Sequence, residues 1–479
     1  MPLEGERMPL SSGKSSIDLF FNPKSVVVVG SMGSPFFGAR VVAFNMRKFG
    51  FKGQIYLVNP KYKSVDGFDV YPNVRSVPGE VDLAVIITSA EAVSGVIDDC
   101  GEKGVEAAVV VADGFAERGA KGAALQKRMV ETARRWGIRV LGPNTIGVLD
   151  AWSGVITNPY YIDYDSVRRG PVALVAQTGI IGPQAMSFCD MRLPLSKVCD
   201  LGNKCDVDES DILEYLGDDP GTKVIAMHLE DVKDGRRFMR VARKVTAEKP
   251  VIVLKPGKTE ESARAVQSHT GAMAGNYAVY ESAMKQAGIL LVDTFQELLS
   301  IPKIFAYQPL PRGNRLGIVT ITGGGGVMAI DAASRMGLRL AKLSRESIEK
   351  LASIHPSMAS HPVDVGPAFP VSDDPRKLYK GSWSIVLNDE NVDAAFITLY
   401  ATRWFPHKEI AEELSRLRET GKPVAVWAYG PRIEDIVSLY QALEEAEVPF
   451  FFTIEEAIKA LALTHHYAQI KEKLRKYVT

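Results

Sequence analysis

Cysteine is scarce: four in 479 residues, and Cys100, Cys189, Cys199 and Cys205 nowhere form a Cys-x-x-Cys pair. That speaks against a disulfide framework or a structural zinc site and fits a reducing cytoplasm. An excess of one charge is also missing, because 57 lysines and arginines face 57 aspartates and glutamates. No global field therefore selects nucleic acid or an acidic surface. No apolar run reaches membrane-spanning length, and residues 1–16 read as a loose tail without a signal-peptide core. Two phosphate signatures are absent as well. There is no Gly-x-x-x-x-Gly-Lys-[Ser/Thr], and Gly30, Gly33 and Gly38 do not make Gly-x-Gly-x-x-Gly.

What is present is a folded composition, 46% apolar with mixed charge, at a length that calls for about three domains. Apolar runs ending in glycine or polar turns alternate with amphipathic segments. The first unit has strands at 25–30, 55–58, 83–88, 107–111 and 139–141, with helices near 91–100 and 122–136. Such alternation predicts a doubly wound parallel sheet that binds ligands at its carboxyl edge. The turn Gly30-Ser31-Met32-Gly33-Ser34 reads equally as a nucleotide cradle or a tight strand–helix turn. After the second strand comes Asn59-Pro60-Lys61, where a dinucleotide fold would carry a carboxylate for the ribose diol; a lysine suits a phosphorylated ribose better. Gly142-Pro143-Asn144 adds a polar turn on the same edge.

A second unit places strands at 172–175, 196–200, 224–229, 251–254 and 289–292 and a helix at 295–307. Gln177-Thr178-Gly179 is expected to open a helix with N–H groups free for an anion. Glu230 emerges from the third of these strands, either at the binding edge or as a cap for the helix from Asp234. Residues 308–315 form the clearest linker. The third unit repeats the scheme with strands at 316–321, 394–399, 424–427 and 450–452, the turn Gly323-Gly324-Gly325-Gly326 opening a helix, and a final helix at 454–474. The fold expected is thus α/β with three doubly wound domains at 17–150, 151–307 and 316–479.

Among seven histidines, His269 stands apart, in Gln267-Ser268-His269-Thr270-Gly271-Ala272-Met273-Ala274-Gly275. Small hydroxyl-bearing neighbours and two glycines predict an accessible loop, and neutral imidazole is a competent nucleophile near pH 7. A polar surface loop is the plain alternative. His228 shares a strand face with Glu230 but sits in an expected buried strand. His355 and His361 precede proline and read as extended positions, and His465 and His466 lie in the last helix.

Taken in order, these motifs resemble the α subunit of ADP-forming (NDP-forming) acyl-CoA synthetases of the succinyl-CoA synthetase superfamily. The most specific part is Ser268-His269-Thr270-Gly271-Ala272-x-Ala274-Gly275, similar to the family's phosphohistidine loop. Next come Gly202-Asn203-Lys204-x-Asp206-x-x-Glu209 and Leu229-Glu230-x-x-Lys233-Asp234-Gly235-Arg236. Departures are Ala176 for a serine, Ile321-Thr322 before the glycines, His361 before Pro362-Val363-Asp364, and Phe36-Phe37 where a basic residue is common. The resemblance implies a Rossmann-like CoA-binding domain and two flavodoxin-like ligase domains. It implies CoA contacts at Gly30, Ser31, Gly33, Ser34, Asn59, Pro60, Lys61, Thr88, Gly142 and Asn144. It implies phosphate contacts at Gln177, Thr178, Gly179, Asn203, Gly271, Gly324, Gly325 and Gly326, with no resident metal on this chain.

The implied reaction is acyl-CoA + phosphate + ADP ⇌ acid + CoA + ATP, through an acyl phosphate and a phosphohistidine. His269 would be the nucleophile and Glu230 would orient its ring. Two helix N-termini facing the phosphoryl group would cradle its charge. Three domains leave no room for an ATP-grasp module, so a separate β subunit carrying ADP/ATP with Mg is expected, in an α2β2 assembly. The rival readings are a non-catalytic CoA or acyl-CoA sensor on the same fold and a nicotinamide-dependent dehydrogenase. The first is weakened by the presence of both His269 and Glu230, the second by the glycine spacing and Lys61.

Overall fold

The structure is a computed structural model that describes residues 16–188, 191–270, 276–372 and 374–478. Residues 1–15 of the expected tail, Cys189 and Gly271 lie outside the described residues. Ser16, the last residue assigned to the tail, is buried.

Three sheets organise the chain. The first contains β1 (Ser25–Gly30), β2 (Gln54–Val58), β3 (Ser64–Val65), β4 (Phe68–Tyr71), β5 (Leu83–Ile87), β6 (Ala107–Val110) and β7 (Arg139–Leu141), in the order β3-β4-β2-β1-β5-β6-β7. Val26, Val27 and Val28 are completely buried because helices cover both faces, which is why β1 reads as a continuous apolar run. Each such side chain contributes roughly 1.5–3 kcal/mol by leaving water. Order reverses at β1, which pairs with β2 on one side and β5 on the other, so the crevice beyond β1 is the topological switch point.

The second sheet contains β8 (Val148–Asp150), β9 (Arg169–Ala176), β10 (Leu195–Asp200), β11 (Val224–His228), β12 (Val251–Leu254) and β13 (Leu290–Val292), in the order β13-β12-β11-β9-β10-β8. Because β8 pairs antiparallel with β10, the chain crosses between sheets at 142–147, before the boundary expected at 150. The third sheet contains β14 (Arg315–Thr320), β15 (Arg339–Leu340), β16 (Val363–Asp364), β17 (Ala394–Tyr400), β18 (Val424–Tyr429) and β19 (Phe450–Phe451), with β14 between β15 and β17.

The first two units interlock at their carboxyl edges. Asn203 N–H donates to Pro143 C=O at 2.9 Å and Cys205 N–H to Gly142 C=O at 3.0 Å. Gly202 has φ +54°, and a Cβ there would stand 2.3 Å from Pro143 O, so only glycine permits this approach. The helix Asp18–Phe21 adds a second tie: Phe21 stacks on Tyr215 at 5.2 Å, and Tyr215 Oη donates to Asp18 Oδ1 at 3.0 Å. The final helix, Ile454–Val478, joins the other pair of units. Lys459 Nζ reaches Asp293 Oδ2 at 2.6 Å and Glu297 Oε2 at 2.7 Å, and Phe305 meets Tyr467 edge-on, while Leu461 and Phe451 lie in the same core.

Three local expectations change. The helix at 295–307 breaks at Ile301 into Phe295–Ser300 and Pro302–Tyr307, because Pro302 has no N–H to continue the first. Gln177-Thr178-Gly179 opens only a 3-10 turn, Gly179–Ile181, where Thr178 caps Ile180 N–H and Gly182 follows. His269 lies in the last turn of a helix, Glu260–Thr270, and not in a loop. Alanines and the early acidic residues Glu260 and Glu261 favour that helix.

Candidate active site

A cleft of about 520 Å³ lies where the carboxyl edges of the first two sheets meet. Thr88 follows β5, Asp113 follows β6, Asn144 follows β7, Gln177 to Gly179 follow β9, Asp200 and Asn203 end and follow β10, and Asp231 follows β11. One wall is apolar, with Ile87, Val111 and Ile146 beside Phe37 and Tyr160, whose rings meet at 5.0 Å. The rest of the lining carries amides, hydroxyls and charges. Such a lining accommodates a ligand that is apolar at one end and anionic at the other.

Thr88, Asn144, Gln177, Thr178, Gly179 and Asn203 thus share one volume, although they were assigned to two different ligands. Asn144 takes φ +57°, and its N–H donates to Ala112 C=O at 2.9 Å. Asn203 Nδ2 donates to Glu117 Oε2 at 2.5 Å and Gln126 Oε1 at 3.1 Å, so this amide bridges the units. Gln177 is buried and cross-links two loops: Oε1 accepts from Glu230 N–H at 2.8 Å and Asp231 N–H at 3.2 Å, and Nε2 donates to Asp231 Oδ1 at 2.7 Å.

The charged residues of the two resembling motifs are largely architectural. Lys204 is buried with φ +53°; its ammonium meets Glu209 Oε2 at 2.8 Å and Asp231 Oδ1 at 2.7 Å. Burial opposes ionisation of Asp231, yet the Lys204 ammonium and Gln177 amide hold its carboxyl below the usual carboxylate range. Asp206 takes Arg139 Nε at 2.8 Å. Asp234 caps the helix Gly235–Thr246 by accepting Arg236 and Arg237 N–H groups, so Glu230 is not the cap. Glu230 is half-buried beside Asp231.

Two buried ionisable residues at the strand ends of the second sheet were missed from sequence, and one of them, Asp200, lines the cleft. Asp200 is buried and its carboxyl is pushed up to about 6 by burial, with repulsion from Glu230 adding to it, against N–H bonds from Ile146 and Gly202. Lys255, at the end of β12, is buried over the Tyr280 ring at 4.7 Å, and burial lowers its ammonium despite Asp231 and Glu230 nearby. The available signal was position, since both residues stand where a buried strand ends.

Other expected residues lie elsewhere. Gly30 ends β1 and Ser31, Gly33 and Ser34 follow it, with Asn59, Pro60 and Lys61 beyond β2. None of them lines the cleft; they occupy the switch-point crevice beside it. Gly30 has φ +150°, and a Cβ there would lie 2.2 Å from Ile87 O. Asn59 Nδ2 donates to Gly30 C=O at 2.8 Å and its Oδ1 accepts from Lys61 N–H, leaving the Lys61 side chain exposed. Gly142 packs against Val110 O. The glycine turn opens the helix Gly323–Arg335 as expected, but Gly325 lines a separate hollow of about 290 Å³ with Trp427, Tyr429 and Phe452. Gly324 is exposed, and the Gly326 N–H already bonds Thr322 C=O at 3.3 Å. The structure therefore does not gather two helix N-termini around the cleft: Gln177 to Gly179 open no regular helix, and the third-unit glycines face their own hollow.

Two doubly wound units sharing a cleft at their carboxyl edges, with a third strapped to the second, define a CoA-ligase type of α/β protein. Residues 24–151 match the family described as a CoA binding domain, and residues 169–305 match the succinyl-CoA ligase like flavodoxin domain. The α subunit of acetate–CoA ligase (ADP-forming) I of Pyrococcus furiosus is 36% identical over 96% of this chain and 99% of its own length. The α subunit of its isoenzyme II is 39% identical over 79% of this chain and 81% of its own. The acetate–CoA ligase (ADP-forming) II of Archaeoglobus fulgidus is 35% identical over 94% of this chain, which covers 67% of that longer protein. The dinucleotide forming acetyl-coenzyme A synthetase 1 of Ca. Korarchaeum cryptofilum, solved with phosphate and ADP, superposes with a TM-score of 0.87 at 33% identity, over 97% of this chain and 99% of that one.

The chain belongs to the ADP-forming acetate–CoA ligase family, as its α-type chain, and is an acid–thiol ligase with a CoA-binding domain. The α naming of its relatives implies a β partner. Neither the sensor nor the dehydrogenase reading is favoured. Among the described residues, no helix is long and apolar enough to cross a membrane.

Proposed function

We propose that this chain runs the CoA-side half of the reaction, in which phosphate displaces CoA from an acyl-CoA and the resulting acyl phosphate phosphorylates His269. What carries the reading is the cleft itself, which brings Thr88 and Asn144 from the CoA-binding unit into one volume with Gln177, Thr178 and Asn203 from the ligase unit. A thioester reaching in from the switch-point crevice meets phosphate only where both units contribute. Its acyl chain would lie along Ile87, Ile146 and the Phe37–Tyr160 pair, while Lys233, at the polar rim, supplies positive charge. Phosphoryl transfer depends mainly on positioning and charge stabilisation, which suits a cleft poor in histidine.

His269 would be the covalent nucleophile and Glu230 the carboxylate that fixes its tautomer. Gly271 would hold the phosphoryl group beside His269, and the third-unit glycines Gly324 to Gly326 would meet it only once the histidine segment has moved away from the cleft. ADP with Mg would bind an ATP-grasp β subunit, completing an α2β2 cytoplasmic enzyme. The test offers labelled phosphate and a panel of acyl-CoA esters to the purified chain. A base-stable, acid-labile protein phosphate should form, vanish in His269→Ala and fall at least tenfold in Glu230→Gln. Undiminished labelling of His269→Ala would remove the proposal.

A further inference from the structure

Asp200 ends β10 and lines the cleft, 5% exposed. Among the described residues, the first two units bury four acidic side chains, Asp150, Asp200, Glu209 and Asp211. Asp150 meets Lys197 at 3.1 Å, Glu209 meets Lys204 at 2.8 Å and Asp211 meets Arg237 at 2.6 Å. Among the described residues Asp200 meets no lysine or arginine. Its Oδ2 accepts the Ile146 N–H at 2.8 Å, its Oδ1 has a 3.4 Å contact from Gly202 N–H, and the neutral Thr145 hydroxyl also favours its ionised form. Two amide dipoles and a hydroxyl leave a buried carboxylate without a counter-charge.

The charged groups around it offer little help. From the loop after β11 come Glu230, which repels it, then Asp231 and Lys233; from the turn after β10 comes Lys204, committed to Glu209 and Asp231; beyond β6 stands Asp113. β9 and the segment 144–146 contribute only neutral cleft residues. An anion entering this space would face an unpaired like charge unless that charge were removed.

We propose that Asp200 takes up a proton when phosphate enters the cleft, and that its neutral carboxyl then donates a hydrogen bond to a phosphate oxygen. The inference rests on the reading of the cleft as the phosphate site. The proton comes from solvent and returns to it when the anion leaves, so no other reactant is needed. A carboxyl already lifted to about 6 lies within reach of such a switch. A like charge a few ångströms away raises a carboxyl by roughly 1–3 units, which takes Asp200 from about one-tenth protonated at pH 7 to half or more.

Calorimetric titration of the full chain with inorganic phosphate at pH 7, in two buffers of different ionisation enthalpy, counts the protons. Ionisation of phosphate itself is common to wild type and Asp200→Asn, so the difference between them reports Asp200. Wild type should take up about 0.4–0.9 more proton per phosphate. Its affinity should also fall more steeply than that of Asp200→Asn between pH 6 and 8. Equal uptake by a folded Asp200→Asn overturns the proposal. Should that variant not fold, carboxyl carbon NMR of the wild type decides: an Asp200 signal that titrates higher with phosphate supports the switch, and an unmoved one overturns it. A cleft that binds no phosphate removes the proposed function, whereas binding without the extra proton removes only the role of Asp200.

Discussion

At the scale of single residues, Lys204 shows what the sequence could and could not disclose. Its place between Asn203 and Asp206 was legible as part of a motif, but its partner Glu209 and its burial were not, because both arise from the fold of the turn after β10. The Glu209 side chain is fully buried, so Lys204→Ala would leave an uncompensated charge in the interior. That substitution should cost about 3–5 kcal/mol in chemical unfolding. His361 was expected in an extended loop, yet it serves as a sheet component: Nδ1–H donates to Ala341 C=O at 2.7 Å and Nε2 accepts the Ile318 N–H at 2.9 Å. Burial lowers its pKa, with the Ala341 carbonyl opposing. The unfolded chain therefore binds a proton below about pH 6.5 that the folded chain resists, and stability falls with acidification through that window. The loss in melting temperature between pH 7 and pH 5 should be smaller in His361→Gln than in wild type.

At the scale of elements, long apolar strands were readable and short ones were not. β1, β12 and β17 follow from runs of buried β-branched and apolar residues, because helices cover them on both sides. β3 and β4 carry no such run; their signal is the Asp66-Gly67 pair, both at positive φ, which closes a two-residue hairpin. The missing helix after Gly179 has a different cause, since Gly182 and Pro183 follow at once and offer no helical continuation. Caps, in contrast, obey local chemistry. Asp234 satisfies two N–H groups of the helix Gly235–Thr246, so Asp234→Ala should destabilise the fold, read as a lowered urea midpoint with unchanged slope.

At the scale of the whole molecule, three alternating units and their order were legible, whereas the surfaces between them were not. Contacts between distant turns leave no periodic trace, and the pairing of 142–144 with 202–205 depends on Gly202 having no side chain. Gly202→Ala should therefore separate the first two units before either unfolds. Calorimetry should show the melting transition broaden or split, and phosphate labelling of His269 should drop at least tenfold while secondary structure by circular dichroism stays near wild type.

The concluding helix has a mechanical consequence. Its early residues sit in the core beside β19, whereas Ile470 and Leu474 rest over Gly288 of the preceding unit. One rod bolted at both ends resists bending, so the third unit cannot swing freely against the second. The travel proposed for the histidine-bearing segment would then fall to the chain flanking it, within a frame whose two rear blocks stay in fixed alignment.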